Sequence, residues 1–326
     1  MPTPLARCLA IACAVSALPA LAACPDYTSA ANPPALAGPL KKSFASSRNT
    51  LAAGLYAPWH MAHDAIVKAG TPASMTAKFD YDAALHRDLE NERVHAYVYG
   101  TGMDGWQYAG QYLTDGDGKV EVPLGVRPVG EYVVRFVVEG DLSTTDGYLS
   151  VVDPGRDTVL FDIDGTLTVS DFEAYADYVG VRTATPYAFG PQMVKAYRDK
   201  GYQLIFLTAR PYWVTRDGRE WLGLQKIGPW HYHSNPYGAG PVPPDIQRFK
   251  GDYVRHLREV VGLNIVRAYG NATTDIGAYE DAGLPKAETY IIGTHAGVGG
   301  TNPVRGDYGA HYAAVVAPTP QAACRR

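Results

Sequence analysis

The chain has 326 residues, of which 46% are hydrophobic and 19% are charged. This is the composition of a folded protein with room for two domains, and it excludes a disordered chain. The 29 Lys and Arg residues nearly balance 33 Asp and Glu residues and form no cluster, so nucleic-acid binding through a basic face is excluded.

The first 23 residues have the pattern of a secretion signal. Arg7 precedes a run of small and apolar residues that ends at Ala23 and is shorter than a typical membrane span. No later apolar stretch is long enough for a transmembrane helix. We therefore expect an exported protein, periplasmic or extracellular, that is soluble or tethered to a membrane surface.

Cys24 has two alternative fates. Leu21-Ala22-Ala23-Cys24 resembles a bacterial lipobox, in which Cys24 is acylated and becomes the new N-terminus. Alternatively, an ordinary signal peptidase cuts after Ala22, and Cys24 pairs with Cys324 in an oxidising compartment. The two alternatives exclude each other, because an acylated sulfur cannot form a disulfide.

Residues 24–58 are rich in Ala, Pro, Ser and Asn, which predicts a tether. From 59 to 153 short alternating segments are separated by turns, including Thr114-Asp115-Gly116-Asp117-Gly118. The pattern predicts an immunoglobulin-like β-sandwich. Its seven strands are expected at Asp64–Lys68, Ala73–Tyr81, Arg93–Tyr99, Trp106–Leu113, Lys119–Val122, Glu131–Val138 and Tyr148–Val152.

From 154 to 318 strands and helices alternate, which predicts an α/β domain with a mostly parallel sheet; residues 319–326 are predicted to form a tail. The ligand site is expected beyond the carboxyl ends of the strands. Strands are predicted at Thr158–Phe161, Gln203–Leu207, Ile265–Tyr269 and Thr289–Ile292, and helices at Pro191–Lys200, Arg216–Leu224, Phe249–Val261 and Ile276–Ala282.

The first of four motifs follows the strand that ends at Phe161. Asp162 and Asp164 are two residues apart, and such a carboxylate pair is relieved by a divalent cation, with Mg²⁺ preferring these hard ligands. Asp162 can attack phosphorus, and Asp164 can protonate the leaving oxygen. Gly165 allows a sharp turn beside the phosphate, and Thr166 is a further candidate phosphate ligand. The alternative is that both Asp residues only cap a turn.

The second motif, Thr208-Ala209-Arg210, ends the next apolar strand. The Thr208 hydroxyl and the following N–H groups can hold phosphate oxygens, and Arg210 can bind an anion or support the loop. The alternative is a helix cap by Thr208.

The third and fourth motifs are Lys250, near a helix start, and Gly270-Asn271-Ala272-Thr273-Thr274-Asp275. Lys250 can offset charge on the phosphoryl group, although it can equally be a surface lysine, with Lys226 as a rival. Asp275 and Asn271 can complete the metal shell, or form a turn and cap. All four motifs follow successive elements in one order, which favours a metal-dependent phosphoryl-transfer site.

Together these motifs resemble the haloacid dehalogenase (HAD) phosphatase superfamily. The resemblance implies a nucleophile at Asp162, a general acid/base at Asp164, phosphate contacts from Thr208 and Lys250, and a metal ligand at Asp275. The stretches from Asp162 to Asp171 and from Tyr269 to Tyr279 resemble the lipin phosphatidate phosphatases.

LNIVRAYGNATTDIGAYEDAGLPKAETYIIG, from Leu263 to Gly293, resembles the LNS2 region of membrane-associated phosphatidylinositol transfer proteins of the RdgB/Nir group. GEYVVRFVVEGDLSTTDGYLSV, from 130 to 151, resembles the stretch before that region. The animal proteins lack the full acidic pair and are taken to bind phosphatidic acid, whereas Asp162 and Asp164 are both present here. Asn271 is shared with the lipins.

The spacing of the motifs predicts an open site. Asp162 and Thr208 are 46 positions apart, and Thr208 and Lys250 are 42 apart, which leaves no room for a large cap domain. We therefore expect an exported, Mg²⁺-dependent phosphatase that acts on a phosphate monoester such as phosphatidate, with peripheral membrane contact. The alternatives are a non-catalytic module that binds phosphatidic acid or another phospholipid headgroup, and an adhesin-like protein in which the sandwich binds.

Overall fold

The computed structural model describes residues 22–82, 86–169, 184–228, 231–236 and 243–325. The predicted signal therefore lies outside the described residues, except for its last two positions. Within the described ranges no helix combines the length and the hydropathy needed to cross a membrane.

The segment predicted to be a tether is instead packed on the sandwich. A short strand, β1 (Ala22–Ala23), precedes it, and it contains two helices, α1 (Tyr27–Ala31) and α2 (Ser47–Leu55). Ala30 and Ala52 are buried, and the carbonyl of Pro34 accepts a hydrogen bond from Trp106 Nε1. Composition suggested a free linker because the apolar anchors are few and widely spaced.

The sandwich consists of a five-stranded sheet in the order β3-β11-β10-β7-β8, a three-stranded sheet in the order β2-β4-β9, and the pair β5-β6. All seven predicted strands have counterparts. The strand predicted over 73–81 ends at Lys78, and a separate strand follows after Phe79. The strands are β2 (Met61–Ala62), β3 (Ala65–Lys68), β4 (Ala73–Lys78), β5 (Asp80–Tyr81), β6 (Arg87–Asp88), β7 (Arg93–Gly100), β8 (Gln107–Leu113), β9 (Lys119–Gly125), β10 (Gly130–Val138) and β11 (Thr144–Val152).

The second domain is built on a six-stranded sheet, all of whose strand pairs are parallel, in the order β14-β13-β12-β15-β16-β17. Two of its central strands have continuous apolar runs, Val159–Phe161 and Leu204–Leu207, whose side chains pack into cores on both faces of the sheet. The strands are β12 (Asp157–Phe161), β13 (Gln203–Pro211), β14 (Tyr232–Asn235), β15 (Asn264–Gly270), β16 (Thr289–Ile292) and β17 (Asn302–Val304). The helices are α3 (Gly190–Asp199), α4 (Thr215–Leu224), α5 (Ile246–His256), α6 (Thr273–Asp281) and α7 (Gly309–His311).

Two edge strands, β14 and β17, were not predicted, because both are short and neither has an apolar run. β13 is longer than predicted and runs through Thr208 and Arg210 to Pro211, so these residues lie within the strand rather than after it.

The two domains share part of one core. Ile66 of β3 and Val152 of β11 pack with Leu160, Val254 and Leu257 on one face of the parallel sheet. The chain passes from one fold to the other near Asp153, but the two folds are packed together through this shared apolar cluster.

The chain ends are joined. Cys24 and Cys324 form a disulfide in the structure, and β1 pairs with the last strand, β18 (Cys324–Arg325). Of the two alternatives for Cys24, this arrangement is the one that excludes acylation. The predicted tail is likewise held in place, with Ala322 buried.

Candidate active site

The loop after β12 places two aspartates at the carboxyl edge of the sheet. Asp162 N–H donates to the Tyr269 carbonyl of β15, which continues the sheet pairing by one residue. The turn then closes at Gly165, which has a φ of 67° and is therefore in the region that favours glycine. The N–H groups of Thr166, Leu167 and Thr168 all donate to the Ile163 carbonyl.

Asp162 is buried and sits between a cation and a hydroxyl. Its Oδ1 accepts from Lys250 Nζ at 2.6 Å, and its Oδ2 accepts from Thr166 Oγ1 at 2.7 Å. Burial raises the pKa of Asp162, the Lys250 ammonium opposes that shift, and the carboxylates of Asp275 and Asp164 add to it.

Lys250 joins two of the predicted motifs. Its Nζ lies 2.6 Å from Asp162 Oδ1 and 2.6 Å from Asp275 Oδ1. Burial opposes its charge, but the two carboxylates outweigh burial and raise the pKa of Lys250. Lys250 is therefore a buried, charged bridge in α5 and not the surface lysine of the alternative interpretation.

Asp275 also holds the backbone of the fourth motif. Its Oδ2 accepts from the N–H groups of Asn271 and Ala272, both at 3.0 Å, at the beginning of α6. Gly270 is required here, because a Cβ at that position would lie 2.6 Å from Asp275 Cβ. Both oxygens of Asp275 thus have protein donors, and its role as a metal ligand stays a prediction.

Asn271 and Thr166 bring the first and fourth motifs together. Asn271 Oδ1 lies 3.3 Å from Thr166 Oγ1, which also donates to Asp162. The backbone of Thr166 is held by Tyr308, whose hydroxyl donates to the Thr166 carbonyl at 2.9 Å. Tyr308 was not foreseen, since nothing in the sequence links residues 142 positions apart.

Asp164 makes a separate set of contacts with β13. Arg210 Nε lies 3.0 Å from both Asp164 oxygens, Arg210 Nη2 donates to Oδ1 at 2.7 Å, and Thr208 Oγ1 donates to Oδ2 at 3.0 Å. The Arg210 N–H in turn donates to Thr208 Oγ1 at 3.1 Å. Ala209 lies between them on the same strand.

The structure thus brings all four motifs to one edge of the sheet. Its charged groups are the carboxylates of Asp162, Asp164 and Asp275 and the cations of Lys250 and Arg210. Lys226, the rival of Lys250, lies elsewhere, with its carbonyl bonded to Arg198 on the surface. Across the described ranges, no three His, Cys, Asp or Glu side chains are grouped so as to hold a metal ion.

Two family models match the chain, one for each domain. The β-sandwich domain of PITM 1-3 matches residues 58–151, and the LNS2 domain of PITM 1-3 matches residues 159–293. The LNS2 domain has a HAD-like fold.

Individual relatives align over both domains. Membrane-associated phosphatidylinositol transfer protein 1 from Rattus norvegicus is 30% identical over 244 residues, which are 72% of this chain and 18% of that protein. Protein retinal degeneration B from Drosophila melanogaster is 29% identical over 245 residues, with the same coverage. The chain therefore spans about a fifth of the length of these relatives.

The resemblance noted from the sequence is confirmed by these matches, which follow each other in the same order along the chain. The chain belongs to the group of proteins that carry this β-sandwich followed by an LNS2 domain, a group that includes the membrane-associated phosphatidylinositol transfer proteins.

Proposed function

We propose that this protein is an exported, Mg²⁺-dependent phosphatase that hydrolyses phosphate monoesters through Asp162. The observation that supports it is the position of Asp162, which is buried at the end of β12 with Lys250 and Thr166 on its two oxygens. Burial raises the pKa of Asp162, and the Lys250 ammonium opposes that shift, which supports the charged carboxylate that a nucleophile requires.

The proposed reaction has two steps. An Asp162 oxygen attacks phosphorus, the bond from phosphorus to the leaving oxygen breaks, and Asp164 gives that oxygen a proton. Asp164 then takes a proton from water as the water oxygen attacks the aspartyl-phosphate, which releases inorganic phosphate and restores Asp162. Thr208, Arg210 and Lys250 provide the donors for the phosphate oxygens.

The donor set fits Mg²⁺. Among the described residues of this cluster, three carboxylates face two cations, so their negative charge is in excess before any phosphate arrives. Mg²⁺ is typically held by one or two carboxylates together with water and substrate phosphate, so Asp162 and Asp164 suffice, with Asn271 and Asp275 adjoining. The metal would supply charge neutralisation at the phosphoryl group.

We propose phosphatidate as the substrate class. The relatives are named as membrane-associated and as phosphatidylinositol transfer proteins, which places phospholipids among the ligands to test. The phosphate of phosphatidate is a monoester, unlike the phosphodiester of phosphatidylinositol. The motif spacing leaves no room for a large cap, and such a site admits a bulky ester at a membrane surface. The disulfide at Cys24 and Cys324 is in keeping with an oxidising, exported location.

The test is release of inorganic phosphate by the intact protein. Phosphatidate vesicles and soluble phosphomonoesters are compared with Mg²⁺ and with chelator, beside Asp162→Asn and the control Asp252→Asn on the exposed face of α5. We expect metal-dependent release that falls by at least about a thousandfold in Asp162→Asn and is unchanged in the control. Equal release by Asp162→Asn and the wild type would refute the phosphatase.

A second candidate function is binding of a phospholipid headgroup without hydrolysis. Two observations favour it. The relatives are named as phosphatidylinositol transfer proteins, and the carboxylates of Asp162 and Asp164 are already bonded to Lys250 and Arg210. Vesicle binding that survives Asp162→Asn, with no phosphate released from any substrate in the panel, would establish it in place of the phosphatase.

A further inference from the structure

The Asp164 carboxylate is held by three side-chain donor groups on β13. Arg210 approaches it in a two-pronged arrangement through Nε and Nη2, and Thr208 adds a hydroxyl. Arg210 is 8% exposed, whereas the Asp164 side chain is 20% exposed and lies on the open side of the pair. Arg210 is therefore fixed in the wall of the site, and Asp164, the more exposed of the two, can move away from Arg210.

These donors suit a phosphate as well as a carboxylate. The guanidinium fork matches the spacing of two oxygens on either anion, and a hydroxyl beside it is a common further phosphate contact. Thr208 is oriented by the Arg210 N–H, which donates to its oxygen and leaves the hydroxyl proton for an anion. In the structure that anion is Asp164.

We propose that Asp164 acts as an internal anion that closes the phosphate site, and that a phosphate monoester displaces it from Arg210 and Thr208. This proposal rests on the proposed function, because the incoming phosphate is the one that Asp162 attacks. It adds an autoinhibitory contact that substrate must break.

The exchange would link substrate binding to readiness for proton transfer. While Asp164 is held by Arg210, it is an anion turned to the wall of the site. Once phosphate takes the fork, the released Asp164 takes up a proton from solvent and can give it to the leaving oxygen. A phosphate monoester dianion offers two unesterified oxygens plus a third for Thr208. A diester offers only two and competes less well with the carboxylate.

The test is equilibrium binding of inorganic phosphate by calorimetry, with the intact protein in the Asp162→Asn background so that nothing is hydrolysed. Adding Asp164→Asn removes the competing anion while keeping the side-chain shape. We expect phosphate to bind about ten- to a hundredfold more tightly, since the apparent affinity of a site scales with the fraction of it that is open.

Removing a negative charge near any phosphate site also tightens binding, so the Arg210→Gln change is the control. Arg210→Gln should itself weaken phosphate binding, and in its presence Asp164→Asn should change the affinity by no more than about threefold. An equal gain with and without Arg210 would overturn the exchange, because simple repulsion would then explain it. Unchanged affinity in Arg210→Gln would also overturn it, and so would a lack of phosphate binding in the Asp164→Asn protein.

A second measurement does not depend on whether Arg210→Gln folds. The Nε–H signal of Arg210 is followed by NMR in the Asp162→Asn protein and is assigned by its loss in Arg210→Lys. It should shift on saturation with phosphate, and an unmoved signal would contradict the exchange. The calorimetry is repeated with phosphatidate vesicles and with a soluble phosphomonoester. The increase in affinity caused by Asp164→Asn should appear with whichever of these two phosphate ligands the site accepts. The binding assays need no turnover, so failure of the phosphatase and failure of the exchange are separate results.

Discussion

Asp64 at the domain junction and Asp162 in the candidate active site are both buried carboxylates, but their partners differ. Asp64 accepts from the backbone N–H groups of Tyr148 and Tyr232, both at 2.8 Å, and from the Arg219 guanidinium. Among the residues that the structure describes, Asp162 accepts from the side chains of Lys250 and Thr166. The junction thus fixes its carboxylate with backbone donors from both domains, whereas the site holds its carboxylate with side chains that can exchange partners.

A buried carboxylate stabilises the fold at the junction, whereas in the candidate site it is available for chemistry. Asp64 belongs to the sandwich, yet it satisfies the N–H of Tyr232 on β14, the edge strand of the parallel sheet. An unsatisfied buried donor is costly, so the sandwich completes the second domain. In the site, three carboxylates share two cations, an arrangement that favours binding over stability.

The largest expected effect is on the junction. Asp64→Asn leaves Arg219 without its buried counter-charge. Because each Asp64 oxygen accepts from one backbone N–H, it also places an NH2 group against one of these donors. We expect the free energy of unfolding to fall by about 3–5 kcal/mol in urea denaturation. Asp252→Asn, at an exposed ion pair on α5, is the control and should cost less than about 0.5 kcal/mol. Similar small losses in both variants would show that the junction pair is dispensable.

The second largest effect is expected from acid, which should lower the free energy of unfolding through buried histidines at the junction and in the sandwich. Burial, with the nearby charge of Arg219, lowers the pKa of His231 to about 3, and burial lowers those of His60 and His63 to about 4. An unfolded histidine titrates near 6.5, so the unfolded chain binds more protons below that pH. Stability is therefore full above pH 6.5 and is lost as the pH falls toward 4, by about 1.4 kcal/mol per pH unit for each histidine.

His231→Gln tests this dependence, because it removes one titrating group from the buried set. The slope of unfolding free energy against pH, measured between pH 6 and pH 4.5, should decrease by up to about 1.4 kcal/mol per unit. Tyr253→Phe removes the hydroxyl bonded to His231 Nε2 at 2.7 Å but no group that titrates in this range. It should lower stability without changing the slope, and an unchanged slope in His231→Gln would contradict the expectation.

A smaller effect is expected where the sandwich touches the segment after Arg210. Trp59 Nε1 donates to the Trp213 carbonyl at 2.8 Å, and the Arg216 guanidinium lies over the Trp59 ring. Trp59→Phe should cost about 1–1.5 kcal/mol in unfolding free energy and leave phosphate affinity within about twofold. Trp106→Phe, which breaks a like bond to Pro34 within the first domain, is the matched control. A selective loss of phosphate affinity in Trp59→Phe would show that the junction controls the site.

The convergence of the four motifs on one edge of the sheet was predictable from sequence, whereas the pairing of their side chains was not. Asp162 follows β12, and Thr208 lies toward the carboxyl end of β13. Lys250 and Asp275 lie in the first two turns of α5 and α6, and the parallel sheet brings all four positions to one edge. Which carboxylate meets which cation depends on side-chain geometry across that edge, so the contact of Arg210 with Asp164 had no sequence signal.

The fold was predicted where periodicity was strong and missed where tertiary contacts decide. The apolar runs around Val159 and Leu204 were evident. In contrast, β14 and β17 lack such runs and form because the sheet edges offer them partners. The role of Asp64 was equally hidden, since its partners Arg219 and Tyr232 lie 155 and 168 positions away.

The smallest change in stability is expected when the same Asp-to-Asn substitution is made in the candidate site instead of the junction. Asp162→Asn removes one of three carboxylates that share two cations, and Lys250 keeps Asp275 as its partner. The remaining charges then balance one to one, so we expect the free energy of unfolding to change by no more than about 1 kcal/mol or to rise. The Asp162 and Asp64 side chains are 3% and 0% exposed, so burial alone predicts equal losses. A loss in Asp162→Asn as large as that in Asp64→Asn would mean that the site is as essential to folding as the junction.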